Sequence, residues 1–241
     1  MLLLGGCSFV DNPDFPPAAF GEKVYENGLV KHVGLGGAGN HYIARAVLEN
    51  LSDDVDFALI LFSGTSRIDI ELPEEMVDDI MSFYTDKKTG CPVVTSPQTV
   101  WFNSGGYGGN WHNHSRTKYA DYIYQYLRSQ YLPLNWEYLN NKSLIDVAGC
   151  LNTLEAKGID YRFGFIYDIF KDQTHEQTSL GGAVSKDNPL LKLINWERAI
   201  SSYPYDYCLE HGLLSDDDFH PSREGYESWW NSIKHEVPYT L

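Results

Sequence analysis

Two polar clusters near opposite ends of the 241-residue chain carry residue types that together could activate a nucleophile. Ser8 follows a short apolar run and two glycines, which predicts a hydroxyl at the carboxyl end of a buried strand, where open α/β sheets place their sites. In the second cluster, Asp217 precedes His220 by three residues. A carboxylate at this spacing can accept a hydrogen bond from one imidazole nitrogen, so that the other nitrogen is left to take a proton from a serine. The two clusters together predict acyl transfer through a Ser-His-Asp triad.

Each cluster alone has an ordinary explanation, because a serine after two glycines is often a turn and a histidine among acids is often a surface loop. Together they resemble the SGNH (GDSL) hydrolase family. The segment Gly6-Cys7-Ser8 matches the family's first block, and Asp217 and His220, followed by Pro221 and Gly225, match its last block. The resemblance implies hydrolysis of esters or thioesters, with Ser8 as nucleophile, His220 as general base and Asp217 as the residue that orients the base.

The family stabilises the tetrahedral oxyanion with three donors, of which two are backbone N–H groups. The resemblance assigns one of these to Ser8 and the other to a glycine after the second strand. We choose Gly37 for this second block and keep Gly36 and Gly39 as alternatives. Such donors must point to where negative charge develops, and the loss of one typically lowers the rate by about 10²–10³.

The third donor of the family, an asparagine side chain, has no counterpart at its usual place. The third block is Gly64-Thr65-Ser66-Arg67, with Ser66 where the asparagine is expected. Either the Ser66 hydroxyl or the side chain of Asn40 could replace it. Arg67 could bind a carboxylate or phosphate of the substrate, or form a salt bridge to Asp69, Glu71 or another nearby acid. We favour the salt bridge.

The elements that must position these residues predict an α/β fold with a mainly parallel sheet, because short apolar runs alternate with helical patterns. The resemblance specifies this as a three-layer, flavodoxin-like α/β/α sandwich, which we expect to form one domain over residues 1–241. The expected strands are 2–4, 29–33, 57–62 and 162–167, with 93–95 and 99–102 as short candidates for a fifth. The expected helices are about 40–51, 74–84, 118–132, 143–157 and 222–234.

An aromatic and glycine-rich stretch around 101–114 has the composition of an insertion. Glycine supplies loop freedom and aromatic rings supply apolar contact area, which favours a binding loop or lid, although core packing is the more common role of aromatic residues. The candidates for stacking on a sugar ring or acyl chain of the substrate are Trp101, Tyr107 and Trp111.

The composition limits the partners. Its 18 Lys+Arg against 33 Asp+Glu give a formal charge of −15, which repels phosphate backbones, so we expect no nucleic acid. No run approaches the roughly 20 apolar residues that span a bilayer, and residues 1–7 lack the features of a signal peptide. We therefore expect a cytoplasmic protein without membrane insertion, with virion association as an alternative. His112 and His114 lack a third ligand, so neither a metal nor an organic cofactor is expected.

Two rival functions are compatible with the same fold. An acyltransferase would use the same triad in a pocket that excludes water. A non-catalytic glycan-binding or virion-associated protein could have kept the fold while its third block changed; Ser66 favours this rival, whereas the presence of all three triad residues opposes it. We therefore expect a serine esterase that acts on a small-molecule or glycan ester.

Overall fold

The computed structural model describes most of the chain, but only the backbone in 70–72, 95–96, 99–103, 174–175 and 178–179. The described residues are 1–12, 14–16, 30–36, 38–65, 67, 69–72, 95–96, 99–103, 136–171, 174–175, 178–179, 183–215 and 220–237. The helices expected at 74–84 and 118–132 lie outside them.

The described part of the chain contains nine strands, four α-helices and three short 3₁₀ helices. The strands are β1 (Leu2–Gly6), β2 (Val30–His32), β3 (Phe57–Phe62), β4 (Asp69–Leu72), β5 (Thr95–Ser96), β6 (Thr99–Asn103), β7 (Asp160–Phe165), β8 (Thr174–His175) and β9 (Thr178–Ser179). The α-helices are α1 (Asn40–Glu49), α2 (Trp136–Ala156), α3 (Pro204–His211) and α4 (Arg223–Ile233). Short 3₁₀ helices are Pro189–Leu193, Trp196–Arg198 and Lys234–Glu236.

Four strands form an entirely parallel sheet in the order β2-β1-β3-β7. Every residue of β1 and β3 is buried, because these two strands lie in the centre of the sheet and read as continuous apolar runs. The predicted α/β fold with a parallel sheet is confirmed. The parallel register also brings the carboxyl ends of all four strands to one edge.

The short candidates for a fifth strand do not extend this sheet. They contribute to β5 and β6, which form a separate antiparallel sheet with β4 in the order β4-β6-β5. A second small antiparallel pair joins β8 to β9.

Alternate strand residues enter two apolar clusters. One cluster contains Leu3 and Ile60 together with the buried residues of α1 and α2. The other contains Leu4 and Leu61 together with Trp229 and its neighbours on α4. The strand ends are therefore held by helices packed against different residues of the same strands.

The predicted helices at 40–51 and 222–234 correspond to α1 and α4, whereas α2 begins at Trp136, seven residues before the predicted start at Ser143. Helix α3 was not predicted. Among the described helices, none combines the length and apolar character needed to cross a bilayer.

Candidate active site

Ser8 lies in a tight turn directly after β1. The carbonyl oxygen of Cys7 accepts hydrogen bonds from the backbone N–H groups of Val10 and Asp11, both at 2.9 Å. A Cβ on Gly6 would lie 2.8 Å from Val10 Cβ, so the turn requires glycine at this position. Ser8 itself is half-buried at the carboxyl edge of the sheet.

His220 lies in a loop whose base is closed by backbone hydrogen bonds. Its carbonyl oxygen accepts from the N–H of Ser215 at 2.7 Å, and Ser222 N–H donates to the carbonyl oxygen of Leu213 at 2.8 Å. Ser222 also caps α4, because its hydroxyl oxygen accepts from the N–H of Gly225 at 3.1 Å. The start of α4 therefore anchors the loop that carries the imidazole.

The structure brings Ser8 and His220 together across 212 residues of sequence, with 2.7 Å between Ser8 Oγ and His220 Nε2. The ring of Phe9 packs against the imidazole, with 4.8 Å between ring centroids. The other imidazole nitrogen, Nδ1, is buried. When Nε2 carries no proton, this arrangement lets the Ser8 hydroxyl donate to it, which is the geometry needed to activate a nucleophile.

The loop after β2 lies beside the Ser8 turn and bears on the choice of the second-block glycine. Leu35 N–H donates to the carbonyl oxygen of Gly6 at 3.1 Å, and Gly36 N–H donates to Asp11 Oδ2 at 2.9 Å. The N–H of Gly39 donates to Asp69 Oδ1 at 2.7 Å. Both alternatives to Gly37 therefore use their N–H groups within the protein.

Asn40, one of the two candidates for the third oxyanion donor, has a different role. Its buried amide donates to the carbonyl oxygen of Ser63 at 3.1 Å and to Ser143 Oγ at 2.6 Å, and its Oδ1 accepts from Ser63 N–H at 2.7 Å. Since the amide has only two hydrogens, both are used inside the protein. The assignment of Asn40 as an oxyanion donor is therefore withdrawn, because the side chain instead ties the end of β3 to α1 and α2.

A second buried contact holds the third block against α2. Thr65 Oγ1 donates to Asn140 Oδ1, and Asn140 Nδ2 donates to the carbonyl oxygen of Ala183 at 3.3 Å. The block itself turns through a hydrogen bond of 3.3 Å from Arg67 N–H to the carbonyl oxygen of Gly64. Asn140 and Ser143 thus position a loop at the carboxyl edge of the sheet.

Arg67 forms no ion pair with Asp69, one of the acids expected as its partner, whereas the side chain of Glu71 lies outside the described residues. Both carboxylate oxygens of Asp69 accept backbone N–H groups at the start of α1, from Gly39 and from Tyr42 at 2.7 and 2.9 Å. Burial raises the pKa of Asp69, and these hydrogen bonds and the positive charge of Arg67 oppose that rise. Arg67 Nη1 instead donates to the carbonyl oxygen of Ala38 at 3.2 Å.

Several predicted site residues lie outside the described residues: Gly37, Ser66, Tyr107, Trp111 and Asp217. For Trp101, only the backbone is described, and it belongs to β6 rather than to a loop. His112 and His114 also lie outside the described residues. Within the part of the chain that is described, no group of three or more His, Cys, Asp or Glu side chains could hold a metal ion.

The roles of four residues that shape this edge were not predicted from the sequence: Phe9, Asp69, Asn140 and Ser143. Phe9 directly follows Ser8, so its proximity to the site could have been predicted. The other three contact partners that are distant in the sequence; Asn40 and Ser143, for example, are 103 positions apart. No local sequence pattern marks these three residues.

No protein-family model, curated protein or solved structure matches this chain. The geometry of the site is therefore the basis for assigning a function.

Proposed function

We propose that the protein is a serine hydrolase that cleaves ester bonds and belongs, by its sequence blocks, to the SGNH type with a three-layer α/β/α sandwich. The observation that carries the proposal is the 2.7 Å distance between Ser8 Oγ and His220 Nε2. A half-buried serine in a glycine-dependent turn, next to an imidazole on a braced loop, is what nucleophilic catalysis requires. A purely binding protein has no need of this contact.

In the proposed reaction, Ser8 Oγ attacks the ester carbonyl carbon while its proton passes to His220 Nε2. The carbonyl π electrons move to the oxygen, which becomes the oxyanion of a tetrahedral intermediate. This intermediate collapses to an acyl-enzyme and expels the alcohol, which takes the proton from His220. Water then repeats the sequence, with His220 as its base, and releases the acid.

The remaining roles follow from the sequence blocks. Asp217 would accept a hydrogen bond from Nδ1 of His220 and hold the imidazole in the tautomer that accepts the serine proton. The backbone N–H groups of Ser8 and Gly37 would stabilise the oxyanion. Gly37 is preferred over Gly36 and Gly39 because the N–H groups of those two glycines donate to carboxylates. With Asn40 withdrawn, Ser66 is the remaining candidate for the third donor.

A serine-directed fluorophosphonate probe and a short acyl ester test the proposal. We expect Ser8→Ala to abolish labelling, and both Ser8→Ala and His220→Ala to lower kcat by at least about 10³-fold, since members of a triad act as a unit.

Matched controls are Ser185→Ala and His211→Ala, which alter an exposed serine and an exposed histidine that have no part in the proposed triad. Both should keep labelling and turnover at the wild-type level. Labelling that persists in Ser8→Ala would identify another nucleophile. A wild-type protein that is neither labelled nor active on esters would favour the glycan-binding or virion-associated alternative.

A further inference from the structure

We propose that Arg67 binds a carboxylate of the substrate, so that the ester cleaved at Ser8 belongs to an acidic molecule. The proposal rests on the proposed function, because it names the substrate class of the same site.

Arg67 lies at the same edge of the sheet as the nucleophile. It follows β3, which pairs in parallel with β1, the strand that leads to Ser8. Its Nη1 donates to the carbonyl oxygen of Ala38. Its Cβ lies 3.1 Å from the position that a Cβ on Gly39 would take. The side chain is therefore packed on the loop between β2 and α1, the loop that also contains Gly37.

Tyr167 links this arginine to the nucleophile turn. Burial raises the pKa of Tyr167, the charge of Arg67 and a hydrogen bond from the backbone N–H of Thr65 oppose the rise, and Cys7 adds to it. The influence of both Arg67 and Cys7 on Tyr167 indicates that these residues lie in the same region of the molecule. Arg67 and Ser8 follow neighbouring parallel strands, β3 and β1, at the edge where these strands end.

The Arg67 side chain is half-exposed, and no carboxylate among the described residues forms an ion pair with it, although its charge acts on Asp69. Its Nε is buried and has no hydrogen-bond partner among the described residues. Each carboxylate oxygen of Asp69 accepts a backbone N–H group, from Gly39 and from Tyr42, and neither oxygen bonds to Arg67. A half-buried cation in this state is stabilised by an incoming anion, and guanidinium matches a carboxylate with two parallel hydrogen bonds.

An acidic substrate is otherwise disfavoured by a chain with 33 Asp+Glu against 18 Lys+Arg. Long-range repulsion makes a specific cation at the site the natural means of accepting such a substrate. Arginine suits this role better than lysine, because its planar fork is always charged and fixes the orientation of the carboxylate.

Matched ester pairs that differ only in the acidic group test the proposal. Suitable pairs are 3-acetoxybenzoate with 3-acetoxybenzamide, and an O-acetylated methyl glucuronoside with the corresponding methyl glucoside. We expect the wild type to prefer the acid in at least one pair by about tenfold or more in kcat/KM. Arg67→Gln should reduce this ratio by at least about tenfold, and Arg67→Lys should keep part of it.

Arg45→Gln is the control for the change in net charge, because Arg45 pairs with Glu49 on the outer side of α1. It should keep the wild-type ratio. A wild type without preference in either pair, or a ratio that is unchanged in Arg67→Gln, would overturn the proposal.

Binding to the Ser8→Ala variant separates this proposal from the proposed function. Titration with benzoate and with methyl glucuronoside, followed by NMR, should show binding that is lost when Arg67→Gln is added. If Ser8 is never labelled by fluorophosphonate while this binding depends on Arg67, the hydrolase assignment fails and the carboxylate site stands. If labelling succeeds and neither anion binds through Arg67, the carboxylate site fails alone.

Discussion

At the scale of single residues, the Ser8 hydroxyl depends on neighbours that leave room beneath it. A Cβ on Gly6 would meet the Val10 side chain and lie 3.1 Å from the carbonyl oxygen of Leu61, while a Cβ on Gly5 would lie 2.5 Å from Val47 Cγ2. Gly6 permits the turn, and Gly5 lets α1 approach β1. Ser8 is thus held by backbone packing, so that its own side chain is not needed to hold the turn.

Asn40 shows how a polar residue near an active site can serve structure alone. Its three hydrogen bonds join α1 to both backbone groups of Ser63 and to the hydroxyl of Ser143 on α2. The removal of this amide leaves buried polar groups without partners, which costs more than the bonds themselves contribute.

We therefore expect Asn40→Ala to lower the free energy of unfolding by at least about 2 kcal/mol, measured by urea denaturation. Fluorophosphonate labelling of the folded fraction should slow by less than about tenfold, because the amide donates to the protein and not to the oxyanion. Asn50→Ala is the matched control, since the side-chain amide of Asn50 donates to the carbonyl oxygen of Ala46 at the end of the same helix. A kcat loss of about 10²-fold with unchanged stability would return Asn40 to the oxyanion hole.

At the scale of elements, the buried strands were predictable and the polar ones were not. Strands β1 and β3 are continuous apolar runs in the centre of the sheet, so composition alone marked them. Strand β4, with the sequence Asp-Ile-Glu-Leu, pairs with β6, 27 or more residues further along, and nothing local indicates that pairing. Long-range pairing is decided by tertiary structure, which local propensity does not report.

Helices followed the same rule. The start of α2 reads as polar, yet Leu139 and Asn140 are buried there, because the third block and α1 pack against this part of the helix. Helix α3 was missed although Pro204 begins it and Gly212, at φ 66°, ends it. These are ordinary helix boundary signals, and the eight-residue length made the periodicity too short to recognise.

The candidate site likewise contains some residues that the sequence indicates and others that it does not. Ser8 and His220 were readable because each lies in a local pattern that chemistry constrains. The supports from Asn140 and Ser143 depend on polar pairs separated by 75 and 103 residues, and a single sequence does not indicate which buried polar groups will meet.

The contact between α1 and α2 includes an ion pair that depends on pH. His41 Nδ1 lies 3.1 Å from Asp146 Oδ1. The hydrogen bond to Asp146 raises the pKa of His41, burial and Lys142 oppose the rise, and the charges of Asp146 and Asp69 add to it. Because the folded pKa exceeds the ordinary 6.5, the stabilisation is complete below that value and is lost as pH rises through the folded pKa.

Asp146→Asn should therefore cost more stability at about pH 5.5 than at about pH 8.5, by less than about 1 kcal/mol because the pair is partly solvated. Urea denaturation of wild type and variant at both pH values measures this difference. Asp53→Asn, which alters an exposed carboxylate in a loop, should show no such change. An equal cost at both pH values would contradict the assigned role of the ion pair.

At the scale of the whole molecule, the site joins the two ends of the chain. Ser8 follows the first strand, and His220 precedes the last helix, so the site exists only when both ends are docked on the sheet. Phe15 connects the segment after β1 to helix α4, within the apolar cluster that contains Leu4 and Trp229. Its ring centroid lies 6.0 to 6.2 Å from those of Tyr226, Trp229 and Trp230, which are all on α4.

This geometry predicts different consequences for two phenylalanines of similar burial. Phe15→Ala and Phe163→Ala should each lower the free energy of unfolding by about 3–5 kcal/mol, because both rings are fully buried. Only Phe15→Ala should also lower kcat/KM by at least about tenfold in the folded protein, since a small displacement of α4 moves His220 away from Ser8. Phe163 belongs to the other apolar cluster, with Phe62 and Phe165.

Activity on a short acyl ester at low temperature, corrected for the folded fraction from urea denaturation, separates the two effects. Comparable losses of kcat/KM in both variants would show that activity follows overall stability. A Phe15→Ala variant that is less stable but fully active would show that the loop around His220, closed at Ser215 and Ser222, holds the imidazole without help from the aromatic cluster.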